Sequence, residues 1–267
     1  MKFKNLEDRM LYFRSLTDYK LLPNSYVLIM LDGRSFSKLI KNKFEKPFDD
    51  MFINMMNETA KYLCKSIEGV KFGYVQSDEI SLVLTDFETE TTDSFFSNRL
   101  CKITSIAASI ATSEFNRLFI KNAITHCQKK EEIIDIVSNI KLCQFDCKAW
   151  NVPSYNDVFA WFLYRQNDCI KNSKSQTTQT YYTHKELFKL NTDEQIEKLF
   201  KEKNINWNDF SDDKKYGRFI IKVIEELTHN NDEKYIRRKW IATDAFPLYE
   251  EQNKKIFEEI SRIPKLL

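Results

Sequence analysis

Tyr26-Val27-Leu28-Ile29-Met30-Leu31-Asp32-Gly33 decides how the chain is read. Six apolar residues in succession, preceded by Asn24-Ser25 and closed by an Asp-Gly pair, make a strand buried on both faces that ends in a turn. Downstream, Asp49-Asp50 can cap a helix. Phe52, Met55, Met56, Thr59, Ala60, Leu63, Cys64 and Ile67 then recur at the spacing of one buried helical face, and Gly69 ends it. Val70, Phe72, Tyr74 and Gln76 alternate as in a strand. A second strand, Ile80 to Leu84, follows so closely that Ser77-Asp78-Glu79 must form a tight hairpin. A further amphipathic helix is expected from Asp93 to about Phe119, with Phe96, Leu100, Ile103, Ala107 and Ile110 on its apolar side. A strand follows from Lys141 to Trp150. After Pro153, Ser154 and Asp157 form a capping box for a long helix running past Asp168.

The order strand, helix, strand, strand, helix, strand is a split β-α-β pattern on an antiparallel sheet, an α+β fold of ferredoxin-like type. Beyond about Tyr182 the chain is richer in Lys, Glu and Asn, and helical patches are expected near Thr192–Lys203 and Lys214–Leu227. The expected organisation is a core over residues 1–150. The long helix and an α-rich C-terminal region packing on that core make up 151–267.

The 267 residues are 42% hydrophobic and 14% aromatic, enough for a packed core. Only 4 Gly and 5 Pro argue against a collagen-like or many-turned all-β chain. A net charge of +2 provides no global cationic field, so an anionic ligand must be held by local clusters. The six cysteines form no C-x-x-C pair. The start, MKFKNLEDRM, lacks an apolar signal core, and no apolar run reaches the roughly 20 residues that span a bilayer. These features lead to the expectation of reduced thiols in a cytoplasmic protein without membrane association; a mitochondrial location stays open.

Asp32 follows the first strand and Asp78 occupies the hairpin. In a split β-α-β sheet the first and third strands are neighbours, so both carboxylates, with Glu79 beside them, can meet at one edge. Such oxygens suit Mg²⁺. Two ions about 3.5–4 Å apart stabilise the entering and leaving oxygens of a phosphoryl displacement. Position alone reads these residues equally well as ordinary turn residues.

The wording of the segments is more specific. Asp32-Gly33-Arg34-Ser35-Phe36-Ser37-Lys38, then Phe44-Glu45-Lys46-Pro47-Phe48-Asp49, then Gln76-Ser77-Asp78-Glu79 resemble, in order, the tRNA-His guanylyltransferase superfamily, whose members extend RNA at its 5′ end in the 3′-to-5′ direction. Phe145 to Pro153 and Trp161 to Asp168 also look familial. Eukaryotic enzymes of the family that add guanosine to histidine tRNA carry a His-Ile-Asn-Asn-Leu-Tyr-Asn run where this chain has Ile170-Lys171-Asn172-Ser173-Lys174-Ser175. Tyr182-Thr183-His184-Lys185-Glu186-Leu187 is similar to the Thg1-like, tRNA-repair branch.

The resemblance implies a polymerase-type palm, with catalytic Asp32, Asp78 and Glu79 and two Mg²⁺ held by Asp32, Asp78 and the Gly33 carbonyl. It implies triphosphate binding by Gly33, Arg34, Ser35, Phe36 and Ser37 together with Lys46, Asp49 and Ser77. ATP, GTP and other nucleoside triphosphates would be substrates, tRNA the partner, and a homotetramer the assembly. Ser37 stands where many members have His. Phe36 reads either as a base-stacking ring or as core. Candidate tRNA contacts are Arg165, Asp168, Lys171, Asn172, Lys174, His184 and Lys185. A second basic patch, Lys234, Arg237, Arg238 and Lys239 beside Trp240, reads equally as the solvated face of a helix. The implied activity is template-dependent repair of 5′-truncated tRNAs. The alternatives are dedicated guanosine addition to histidine tRNA, a catalytically idle tRNA-binding palm and, less well matched, a palm-type nucleotide cyclase.

Overall fold

The computed structural model describes residues 2–36, 44–125, 127–228 and 234–266. Helix α1 (Leu6–Ser15) precedes strand β1 (Tyr26–Gly33). Helix α2 (Asp50–Ser66) leads into the hairpin of β2 (Val70–Gln76) and β3 (Glu79–Leu84). Helices α3 (Leu100–Ile124) and α4 (Lys130–Asn139) then precede β4 (Phe145–Val152). The second half contains α5 (Tyr155–Tyr181), α6 (Thr192–Lys203), α7 (Asp212–Tyr216), β5 (Arg218–Thr228), β6 (Lys234–Asp244) and α8 (Glu251–Ser261).

One antiparallel sheet runs β4-β1-β3-β2-β5-β6, so β1 does lie beside β3. Alternation along β1 serves two cores. Val27, Ile29 and Leu31 pack with Met55, Met56 and Leu63 of α2 and Phe115 of α3. Tyr26 and Leu28 pack with Phe159 and Phe162 of α5 and Phe257 of α8. Burial on both faces is why β1 reads as a continuous apolar run.

The expected caps are present. Asp49 accepts from the Phe52 N–H, and Ser154 accepts from the Asp157 N–H at the start of α5. The region near Thr192–Lys203 is helical, and the Asn191–Glu194 capping box fixes its start. Lys214–Leu227 is not. Its helix stops at Tyr216, Gly217 adopts φ +82°, and the chain enters β5. The β-branched run through Ile220, Ile221, Val223 and Ile224 pairs along its whole length with β6. That partner lies beyond local periodicity, which is why the Lys and Glu content misleads there. The C-terminal half thus adds two strands to the sheet as well as helices, and Lys234, Arg237, Arg238 and Lys239 lie on a strand, not on a helix.

Candidate active site

The end of β1 and the β2–β3 hairpin meet as the topology requires. In register, Asp32 faces Glu79 on β3 and Asp146 on β4, which puts all three side chains on the sheet face covered by α5. Asp78 occupies the hairpin turn, where its carbonyl accepts the Gly33 N–H at 3.1 Å and its carboxylate accepts the Ser77 hydroxyl at 3.1 Å. Burial, then the charge of Asp32, pushes the Asp78 carboxyl up to about 6. Asp32 is also raised, by burial and then by Asp146. Carboxyls in one place, crowded and partly desolvated, form a site short of positive charge.

Asp146 was missed as a site residue. The familial Phe145-Asp146-Cys147 stretch held the signal: strand alternation turns Asp146 away from the Phe145 side.

Glu79, expected as a catalytic carboxylate, is engaged by a cation from the long helix. Both its oxygens accept from Arg165 of α5, Nε at 2.6 Å and Nη2 at 2.5 Å. Arg165 is buried, gives a further bond to Asp168 at 2.8 Å, and lies 5.7 Å from the Trp161 ring and 5.2 Å from Tyr164. Burial would lower the guanidinium, yet the hydrogen bonds and charge of Glu79 raise it. Burial still leaves the Glu79 carboxyl raised against this pairing. Arg165, expected at the RNA surface, is therefore an interior residue that fixes Glu79 beside Asp32.

Asp49 is likewise engaged by the backbone. Its oxygens accept the N–H groups of Glu45 and Phe52, both at 2.8 Å, closing the loop that displays Lys46 to solvent. Ser77 is exposed at the hairpin tip with φ 44°. Gly33 has no room for a side chain, because a Cβ there would stand 2.5 Å from the Phe36 ring. That ring is buried against Phe115 and Phe145, both centroids at 5.1 Å, so Phe36 offers a ligand only its backbone and not a stacking face. Arg34 and Ser35 are exposed, Arg34 bonding to Gln144. Ser37 lies outside the described residues.

A cleft opens between this loop and α5, bordered by Glu45, Phe48, Asp49, Ser77 and Asn172. Lys171 and Asn172 are exposed on α5, and His184 and Lys185 are exposed just after it. Lys174 is instead held by Asp193 at 2.6 Å and sits 5.1 Å from the Trp207 ring.

Among the described residues, no group of three or more His, Cys, Asp or Glu side chains has the geometry to hold a metal. The hard oxygens of Asp32 and Asp78, raised in pKa by burial and by a neighbouring carboxylate each (Asp146 for Asp32, Asp32 for Asp78), nevertheless fit a divalent cation such as Mg²⁺.

The family model described as tRNAHis guanylyltransferase matches residues 7–153. A bacterial tRNAHis guanylyltransferase-like protein solved with ATP is similar over 97% of this chain and 98% of its own, at 32% identity and TM-score 0.78. The same type of protein solved with GTP is similar over 96% and 97%, at 31% identity and TM-score 0.75. The tRNAHis guanylyltransferase of Schizosaccharomyces pombe is 29% identical over 230 residues, 81% of each chain.

Proposed function

Since the chain belongs to the tRNAHis guanylyltransferase family, we propose that it adds nucleotides to the 5′ end of tRNA, reading the opposite strand as template and restoring 5′-truncated molecules. The observation that carries this is the convergence of Asp32 and Asp78 where β1 ends against the β2–β3 hairpin, beside the Lys46 loop and Ser77. Relatives solved with ATP and GTP support nucleoside triphosphates as substrates.

In this reading the 5′-monophosphate of tRNA attacks the α-phosphorus of ATP and pyrophosphate leaves. The 3′-hydroxyl of an incoming nucleotide then attacks the activated 5′ phosphorus and AMP leaves. Water finally attacks the α-phosphorus of the new 5′-triphosphate and pyrophosphate leaves. Each step has an anionic phosphorus centre and a departing anion, so positioning and charge neutralisation provide most of the catalysis. Asp32, Asp78 and the Gly33 carbonyl would hold Mg²⁺, which supplies positive charge at the reacting phosphoryl oxygens. Lys46 is a mobile cation for phosphate oxygens, with the backbone from Gly33 to Phe36 and the Ser77 hydroxyl around them. Asp49 holds the Lys46 loop in shape. Glu79 acts through Asp32: its pairing with Arg165 fixes it as the cross-strand neighbour of that carboxylate. Lys171, Asn172, His184 and Lys185 are the exposed candidates for RNA contact. Asp168 bonds to Arg165 yet keeps an exposed carboxylate that can reach RNA, whereas Lys174 is taken up by the Asp193 pair. Residues 1–150 form the catalytic core and 151–267 the RNA-binding part, in a cytoplasmic homotetramer.

The missing His-Ile-Asn-Asn-Leu-Tyr-Asn run favours repair over guanosine addition confined to histidine tRNA. Protein, Mg²⁺, nucleoside triphosphates and a tRNA lacking its first nucleotide should give a 5′-extended product. Asp32→Ala and Asp78→Ala should each lose about 10²-fold or more of that activity while staying folded. Full activity in both variants rejects the site, and extension restricted to RNAs with the histidine anticodon rejects the repair reading.

A further inference from the structure

A groove of about 760 Å³ lies between α2 and the β5–β6 hairpin, apart from the carboxylate cluster. It is bordered by seven basic residues and three acidic ones in a chain whose net charge is only +2. Two of the acidic residues are already engaged, Glu58 with Lys61 and Glu114 with Arg117.

The sheet register explains the concentration of charge. β2 pairs with β5 only from Gly73 to Val75, so most of the β5–β6 ribbon projects past the edge of β2. On β5, Lys222 is opposite Trp240, and Ile224 is opposite Arg238. Ile220, Trp240 and Ala242 belong to the α2-side core, which places Lys222 and Arg238 on that face as diagonal neighbours. Lys222 lies 5.5 Å from the Trp240 ring. Lys61 and Lys65, one turn apart on α2, flank the groove from the other side. Lys71 projects from β2 and is paired with Glu88; burial, then the charge of Lys222, lowers its pKa. Among the described residues Lys65, Lys222 and Arg238 have no acidic partner.

We infer that this groove holds the phosphodiester backbone of the RNA substrate, at a point on its body remote from the 5′ end. The inference rests on the tRNA reading above and names a second contact for the same substrate. From Lys71 to Gln76, β2 runs roughly 17 Å toward the hairpin, and the carboxylates lie on the opposite sheet face. An RNA terminus at Asp32 and Asp78 therefore reaches the groove only with another part of the molecule. The groove is open and its cations are strung along a helix and a ribbon, which suits a chain of phosphates rather than one enclosed anion. Lys and Arg there would fix RNA by shape and charge, without reading bases.

The test is equilibrium binding of a 5′-truncated tRNA across a salt series. The double variant Lys222→Ala/Arg238→Ala should weaken binding roughly tenfold at 0.1 M salt and make the log K against log salt slope shallower by about two. The charge-preserving pair Lys222→Arg/Arg238→Lys should behave as the parent. Unchanged affinity and slope in the alanine variant overturn the inference. So does calorimetric binding of tripolyphosphate that the alanine variant loses while its tRNA affinity stays intact, the mark of a small-anion site. A parent protein that never extends 5′ ends, but whose alanine variant still loses RNA affinity, defeats the activity proposal and leaves the groove standing. Extension with unaltered RNA affinity does the reverse.

Discussion

Replacing Arg165 with Leu strips the cation from the buried Glu79 carboxylate. Arg165 is 8% exposed and Glu79 7%, and the pair is joined by two charge-assisted hydrogen bonds. Removing one partner of such a pair costs about 3–5 kcal/mol, because the survivor is left charged and desolvated. For a chain of this length that lowers Tm by roughly 2–4 °C per kcal/mol, some ~6–20 °C in all. The Asp168 contact adds little, since its carboxylate is 39% exposed, so Asp168→Asn alone should cost less than about 1 kcal/mol. The double variant Arg165→Leu/Glu79→Leu removes both charges and should recover most of the loss. The pH dependence has a definite sign. The Glu79 carboxyl is already raised by burial, and losing Arg165 raises it further. The folded variant then binds a proton that the unfolded chain has released. Stability therefore falls as pH climbs from the ordinary glutamate range toward the raised value, and the penalty shrinks in acid. Urea unfolding of the four proteins at acid and neutral pH reads all of this. A single-variant cost below about 1 kcal/mol, or a double variant no better than the single, would refute the buried-pair account.

Asp78→Asn should stabilise the metal-free protein. A carboxyl raised from 3.8 to about 6 destabilises the folded state at pH above 6 by about 3 kcal/mol, and by nothing near pH 3, so the gain from Asn should appear as pH rises through that window. Thermal melts in chelator across pH 4–8 check it, and a pH-independent difference would contradict it. Gly217→Ala should lower stability by about 1–3 kcal/mol, read by urea unfolding. The position has φ +82°, and a Cβ would stand 2.6 Å from the Tyr74 hydroxyl, which donates to the Tyr216 carbonyl at 2.7 Å. A change within about 0.5 kcal/mol would show that the turn relaxes freely.

The parts of the fold legible in the sequence are those whose pattern is local. Tyr26 to Leu31, the α2 periodicity and the Ser154–Asp157 cap each declare themselves within a few residues. The β5–β6 ribbon does not, because Glu225, Glu226 and Leu227 are as good in a helix as in a strand until Arg237, Ile236 and Tyr235 lie opposite. The site divides in the same way. Asp32 and Asp78 are legible because turn position and split β-α-β topology bring them together. Arg165 is not, since a basic residue in a familial segment reads as an RNA contact until α5 lays it over Glu79. Asp146 lies in a stretch that looks familial, but its place beside Asp32 emerges only once β4 is in register with β1.

Titration calorimetry of Mg²⁺ into the protein with a bound non-hydrolysable nucleoside triphosphate bears most directly on the pairing of Asp32 with Asp78. Saturable binding in the parent protein, abolished in both Asp32→Asn and Asp78→Asn while their folding is intact, is the predicted result. Undiminished Mg²⁺ binding in the two variants would contradict it.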